Sequence, residues 1–166
     1  MKRIVFAGGC FWGVQAYFKQ LKGVQATAAG YVNGNIPNPC YEDLKAGKAT
    51  HAEAVEIHYD DNIISLEKLL EHLFRIIDPT SINRQGPDIG IQYRTGVYYR
   101  LPEDKAIIEK FISEKQKDYH EKIAVEVAQE AGFYPAEAYH QDYLDKNPGG
   151  YCHVDLSLIK PEERKA

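Results

Sequence analysis

Cysteine is scarce in this chain, with three in 166 residues, at positions 10, 40 and 152. An odd number at such wide spacing does not read as a disulfide framework. No Cys-x-x-Cys pair occurs, and no cysteine and histidine run has the spacing of a structural zinc site. A centre built from His51, His58 and Cys152 is only a minor alternative. Also lacking is any stretch near the roughly 18 uninterrupted apolar residues of a membrane span. Positive charge is not in excess, since the formal net charge is -4, which argues against a nucleic-acid partner. The apolar run after Met1-Lys2-Arg3 is too short for a signal peptide, so a cytoplasmic location is expected. No repeat, linker or low-complexity segment divides the chain, and one domain over 1–166 is expected. Gly8 to Gly13 has the outer spacing of a phosphate loop, but Val14-Gln15 replaces its Lys-Ser/Thr.

What is present has clear periodicity. Ile4-Val5-Phe6-Ala7 reads as a strand, and Phe11, Val14, Phe18 and Leu21 as one face of a helix. Val24 to Tyr31 follows as a strand, 33–40 as a loop, and Tyr41–Leu44 as one helical turn. Ala52 to Tyr59 alternates, and Ser65 caps a helix with Leu66, Leu69, Leu70, Leu73, Phe74 and Ile77 inward. Residues 78–92 have no period and read as a functional loop. Tyr93 to Arg100 is a further strand, followed by a helix from Pro102 to about Tyr119. Ile123, Val125 and Val127 suggest an edge strand, and Pro135 the start of a last helix running through Tyr139 and Tyr143. The tail from Gly149 reads as mobile coil carrying Cys152. The order is α+β, with a ferredoxin-like split βαβ core (βαββαβ) and a C-terminal extension.

The chemistry centres on Ala7-Gly8-Gly9-Cys10-Phe11-Trp12-Gly13. A strand, two glycines and a helix put Cys10 in the first helical turn, where unpaired N–H groups favour an anion. Such thiols titrate anywhere from about 3.5 to 7.5, so the pattern points to a reactive thiolate. The alternative is a buried structural cysteine. Glu53 shares a strand face with Val55, Ile57 and Tyr59. A carboxyl group facing such surroundings is desolvated and becomes a proton donor near neutrality. Otherwise it is a strand-end residue tilted to water.

Gly9-Cys10-Phe11-Trp12-Gly13 resembles the signature of the A class of peptide methionine sulfoxide reductases. Three further blocks are similar: Thr50-His51-Ala52-Glu53-Ala54-Val55, Gly86 to Arg94, and Tyr139-His140-Gln141-Asp142-Tyr143-Leu144 with Lys146-Asn147-Pro148. The resemblance implies that Glu53 is the catalytic acid, that Tyr41 and Tyr93 are site tyrosines, and that Asp88 is a site aspartate. Without it, each tyrosine would be read as a half-buried core phenol. The fourth block reads mainly as structure. Two departures stand out: no cysteine follows Cys152, and Cys40 stands where Thr or Ser is more usual.

The implied activity is reduction of methionine S-sulfoxide, in proteins, in peptides and as the free amino acid. Cys10 would attack the sulfoxide sulfur, with Phe11 and Trp12 as an apolar floor for the S-methyl group. Cys152 would then resolve the Cys10 sulfenic acid as a disulfide, to be reduced by an external dithiol, thioredoxin, with no bound cofactor or metal. A monomer is expected. The competing readings are a cysteine-based thiol peroxidase and a non-enzymatic ferredoxin-like binding module.

Overall fold

The computed structural model describes residues 1–165. Its strands are β1 (Lys2–Gly8), β2 (Val24–Val32), β3 (Ala52–Tyr59), β4 (Arg84–Gln85), β5 (Asp88–Ile89), β6 (Thr95–Tyr99), β7 (Glu126–Gln129) and β8 (Phe133–Pro135). The α-helices are α1 (Phe11–Phe18), α2 (Tyr41–Lys45), α3 (Leu66–Ile76), α4 (Pro102–Lys115) and α5 (Tyr143–Lys146). Six strands form one sheet in the order β7-β6-β1-β3-β2-β8. Every neighbouring pair is antiparallel except β6 and β7. The protein is thus a mixed α+β fold.

Chain chemistry explains the layout. Ile4, Val5, Phe6 and Ala7 are all buried, so β1 is apolar on both faces, as a central strand must be. One face of the sheet contributes Ile4, Phe6, Val55, Ile57 and Val97 to the main core, where α1, α3 and α4 cover it. The other contributes Val5, Ala7, Ala54 and Tyr98 to a smaller cluster. Ser65 caps α3 by accepting from the Lys68 backbone N–H at 3.1 Å. Behind that cap Leu69, Leu70 and Leu73 are fully buried, each contributing about 1.5–3 kcal/mol.

Several expectations are corrected. The stretch 78–92 is built rather than featureless, because β4 and β5 pair as a small hairpin and Ile91–Tyr93 make a 3-10 turn. The buried Gln85 holds that hairpin in place, its amide donating to Asp78 and Arg84 carbonyls and accepting from the Asp78 N–H. Tyr93 therefore lies in the turn, ahead of β6. The edge strand starts only at Glu126, since Ile123 and Val125 are buried outside the ladder. No long helix opens at Pro135. That residue ends β8, an edge strand on β2, and a 3-10 turn at Ala138–His140 and the short α5 follow.

The tail is anchored, contrary to the mobile coil expected. Val154 and Ile159 are buried, and Glu163 binds the Arg75 guanidinium twice at 2.8 Å. The Lys22 N–H donates to the Glu163 carbonyl at 2.9 Å. The α3 residue His72 joins this point to α1, with Nδ1 at 2.7 Å from the Tyr17 hydroxyl and Nε2 at 3.7 Å from Glu163.

Burial, then the nearby Arg75 charge, lowers the His72 pKa to about 4. The unfolded chain takes up this proton near the ordinary value of about 6.5 while the folded protein resists it. Stability is therefore present above that value and lost as pH falls towards about 4, at up to about 1.4 kcal/mol per pH unit. Denaturant unfolding should show a loss on the order of 2 kcal/mol between about pH 7 and about pH 5 from this group. His72→Gln should flatten that slope, whatever it does to stability at neutral pH.

Candidate active site

The turn from β1 into α1 sets the position of Cys10. Gly9 has φ +87°, and a Cβ there would meet the Gln85 side chain at 2.8 Å, so neither the turn nor the space admits another residue. Cys10 becomes the N-cap of α1 and is 9% exposed. The helix start is present as expected, but the thiolate is not favoured. Burial and the facing Glu53 carboxylate push the thiol pKa up, outweighing the Trp12 backbone N–H that favours the anion. No Lys or Arg is among the residues lining the cavity to offset this.

Glu53 lies on the helix-covered face of β3, opposite Tyr31 in the ladder and 1% exposed. Its Oε1 accepts the Phe11 N–H at 3.2 Å, the first amide of α1. Oε2 is buried with no protein partner. Desolvation raises the Glu53 pKa to about 8, with Asp88 adding to the effect and the Phe11 amide opposing it. A carboxylic acid at neutral pH, with one oxygen tethered and the other free, is suited to donate a proton.

Cys10, Phe11, Trp12, Tyr41, Glu53, Asp88, Tyr93 and Tyr151 line one cavity of about 200 Å³. The residues expected to make the active site converge there except Cys152, while Cys40, and His51 and His58 of the minor metal-centre reading, do not line it. Burial and the Glu53 charge raise the Tyr41 pKa to about 12, so its phenol remains a donor. Tyr93 is raised for the same two reasons. Glu137 positions Tyr41, accepting its backbone N–H at 3.1 Å and the Tyr31 hydroxyl at 2.8 Å. A larger cleft, between α3 and α4, is lined by Glu67, Glu71, Lys110, Phe111 and others, with no thiol among them.

Three residues escaped the sequence reading. Tyr151 donates its hydroxyl to Asp88 at 2.8 Å across the cavity mouth. Its place beside Cys152 was the available signal. Glu137 lies in a stretch read as helix, and His140 in a block read as structural. The indole of Trp12 stacks on Tyr143 at 3.7 Å and 7° and donates its N–H to His140 Nδ1 at 3.0 Å.

Cys152 docks against the first turns of α1. A Cβ on Gly13 would lie 3.0 Å from its sulfur, so the glycine makes the space. The Cys152 thiol donates to the Val154 carbonyl at 3.2 Å, and His153 Nε2 lies 2.8 Å from the Gly8 carbonyl. Cys40 caps α2 instead, and all three cysteines are free.

The chain is similar to known proteins over nearly its whole length. The family model described as peptide methionine sulfoxide reductase matches residues 2–166. A curated relative from Ureaplasma urealyticum, "Peptide methionine sulfoxide reductase MsrA", is 53% identical over 96% of this chain and 97% of its own. The reduced form of Mxr1 from Saccharomyces cerevisiae superposes with a TM-score of 0.87 at 38% identity, covering 93% of this chain and 91% of that one. Mxr1 in complex with Trx2 gives a TM-score of 0.61 at 28% identity over 86% and 84%.

The raised Cys10 pKa has a measurable consequence. In a protein with Cys40 and Cys152 replaced by Ser, alkylation by iodoacetamide should be slow at neutral pH and rise only in alkali. Glu53→Gln removes the facing charge, so the midpoint of that rise should move down. An unmoved midpoint would show that the two groups do not interact.

Proposed function

The chain belongs to the peptide methionine sulfoxide reductase family, and from that premise we propose how its own residues carry out the thiol-dependent reduction of methionine sulfoxide. The observation that carries the reading is the convergence on one small cavity of the Cys10 thiol, the free Glu53 oxygen and the Tyr41 and Tyr93 phenols. The substrate is methionine S-sulfoxide, free or within an oxidised protein or peptide. Its S-methyl group rests against Phe11 and Trp12, where sulfur-bearing groups favour aromatic edges.

Cys10 sulfur attacks the sulfoxide sulfur as Glu53 protonates the departing oxygen. Tyr41 and Tyr93 donate hydrogen bonds to that oxygen as its charge grows. With Glu53 neutral, its charge no longer adds to the burial that holds the thiol protonated, and Cys10 gives up its proton as the attack proceeds. The thiol proton replaces the one Glu53 gave up. The substrate sulfur–oxygen bond breaks as the oxygen passes to Cys10 as a sulfenic acid, and the transient Cys10–substrate sulfur bond breaks as methionine leaves. Cys10 is thereby oxidised and the sulfoxide reduced. Asp88, bound to Tyr151 at the mouth, contacts the rest of the substrate. Cys152 thiol then condenses with the sulfenic acid, giving a disulfide and water. An external dithiol reduces it by exchange. Thioredoxin is the proposed dithiol, and the complex of the yeast neighbour with Trx2 supports it. No bound cofactor enters these steps.

The match over residues 2–166 supports reading the chain as one reductase domain. The order β6-β1-β3-β2, with β1, β2, β3 and β6 joined through α1 and α3, supports a ferredoxin-like split βαβ core within it. Among the described residues no helix is long and apolar enough to cross a membrane. Three free cysteines suit a reducing compartment such as the cytoplasm, with the protein acting as a monomer.

The deciding assay supplies dithiothreitol with either a methyl S-sulfoxide or hydrogen peroxide. Consumption of the sulfoxide by wild type, and none by Cys10→Ser, is expected; preferential consumption of peroxide would favour the peroxidase reading. Glu53→Gln should slow the single-turnover step by about 10²–10⁴-fold with little change in substrate affinity.

Recycling gives a separate outcome. Cys152→Ser should yield one methionine per enzyme and then stall with a thioredoxin system, whereas Cys40→Ser should keep turning over. Peptide mapping after one turnover should find Cys10 joined to Cys152. A Cys10–Cys40 link would overturn the recycling half alone.

A further inference from the structure

His140 has no part in the steps above, yet it is as deeply buried as Glu53. It is 1% exposed, and its ring packs among four aromatic side chains. The ring centroids lie 5.1 Å from Phe11, 5.8 Å from Trp12, 4.7 Å from Tyr41 and 4.1 Å from Tyr139. Three of these four line the cavity. Among the described residues the ring's one hydrogen bond is accepted at Nδ1 from the Trp12 indole at 3.0 Å. Nε2 is buried without a partner.

The chemistry of the pair fixes its state. An indole N–H only donates, so Nδ1 must be bare and the imidazole proton must sit on Nε2. An imidazolium would oppose the indole with a second donor, so the ring stays neutral. Burial, which lowers the His140 pKa, works in the same direction. On its other face the indole is stacked on Tyr143 at 3.7 Å. Stacking restrains tilt but leaves the ring free to slide in its plane. The hydrogen bond to His140 removes that freedom.

We infer that His140 is a positioning residue for substrate selection: by holding the Trp12 indole in register, it sizes the cavity floor for an S-methyl group against larger S-alkyl groups. The inference rests on the reading of Trp12 as the floor beneath that group. His140 touches no reacting atom and acts through Trp12 alone.

The test compares enantiopure S-sulfoxides of methionine and ethionine as free amino acids, in wild type, His140→Phe and His140→Asn. Phe keeps the aromatic bulk and removes the acceptor, while the Asn side-chain oxygen falls near the place of Nδ1. In His140→Phe, loss of one hydrogen bond should raise the KM for methionine sulfoxide by about 3- to 10-fold. The methyl-to-ethyl preference in kcat/KM should fall by a similar factor, with the saturated single-turnover rate within about twofold of wild type. Trp12 is the only tryptophan, so its emission reports the floor directly and should shift in this variant. His140→Asn should restore both the preference and the emission.

A folded His140→Phe protein with wild-type preference would overturn the inference. So would His140→Asn failing to hold that preference, and this variant decides the matter if His140→Phe does not fold. Failure of the underlying reading is recognised separately: wild type would reduce neither sulfoxide if the activity were wrong, and Trp12→Ala would leave the methyl-to-ethyl preference unchanged if the floor were wrong.

Discussion

The hydrogen bond from the Phe11 amide to Glu53 is the contact on which the site depends. A helix must do something with the N–H groups of its first turn, and α1 gives the first of them to a carboxyl group from the middle of the sheet. That single bond fixes the Glu53 oxygen on one side and leaves the other free beside Cys10, the residue that caps the same helix. Nucleophile and acid are therefore registered to each other through one peptide unit. Their separation cannot drift unless α1 slides on β3. Sliding is resisted at the far end of the helix, where Tyr17, His72, Arg75 and Glu163 lock α1, α3 and the tail together.

The outer parts of the site follow the same logic of support from behind. Glu137 holds the backbone of Tyr41 and the hydroxyl of Tyr31, and Gln85 holds the hairpin that carries Asp88. Each of these carboxyl or amide groups is drawn from a segment with little regular structure. Irregular backbone leaves donors and acceptors unpaired, and side chains of this kind both satisfy them and aim the neighbouring residue.

The sequence made the centre of the site legible for simple reasons. Two glycines before Cys10 and the alternation around Glu53 are local patterns, and local patterns survive into the fold. The α3 helix was equally plain, from its Ser65 cap and apolar stripe. What local pattern missed was set by distant contacts. The thiol pKa is decided by burial and by a residue on another strand, so the helix start alone pointed the wrong way. The segment ending at Pro135 became an edge strand because β2 had an unpaired side to offer, which no helix signal could anticipate. His140 and Glu137 matter through partners more than 90 positions away. The tail carries no signal of its anchorage, because its anchors are single side chains spaced too irregularly to form a period.

The seat of Cys152 against Gly13 has a thermodynamic consequence. The two cysteines of the proposed disulfide stand close to opposite ends of the chain, so their crosslink would enclose almost all of it. Closing so long a loop removes much freedom from the unfolded chain, about 4 to 5 kcal/mol in the chain-entropy model. The folded protein has already brought the ends together, since Cys152 is packed on α1 while still reduced. Oxidation would then weigh mainly on the unfolded ensemble. Catalysis would thus alternate the protein between an open topology and a nearly circular one, and its resistance to unfolding would rise and fall with each turnover.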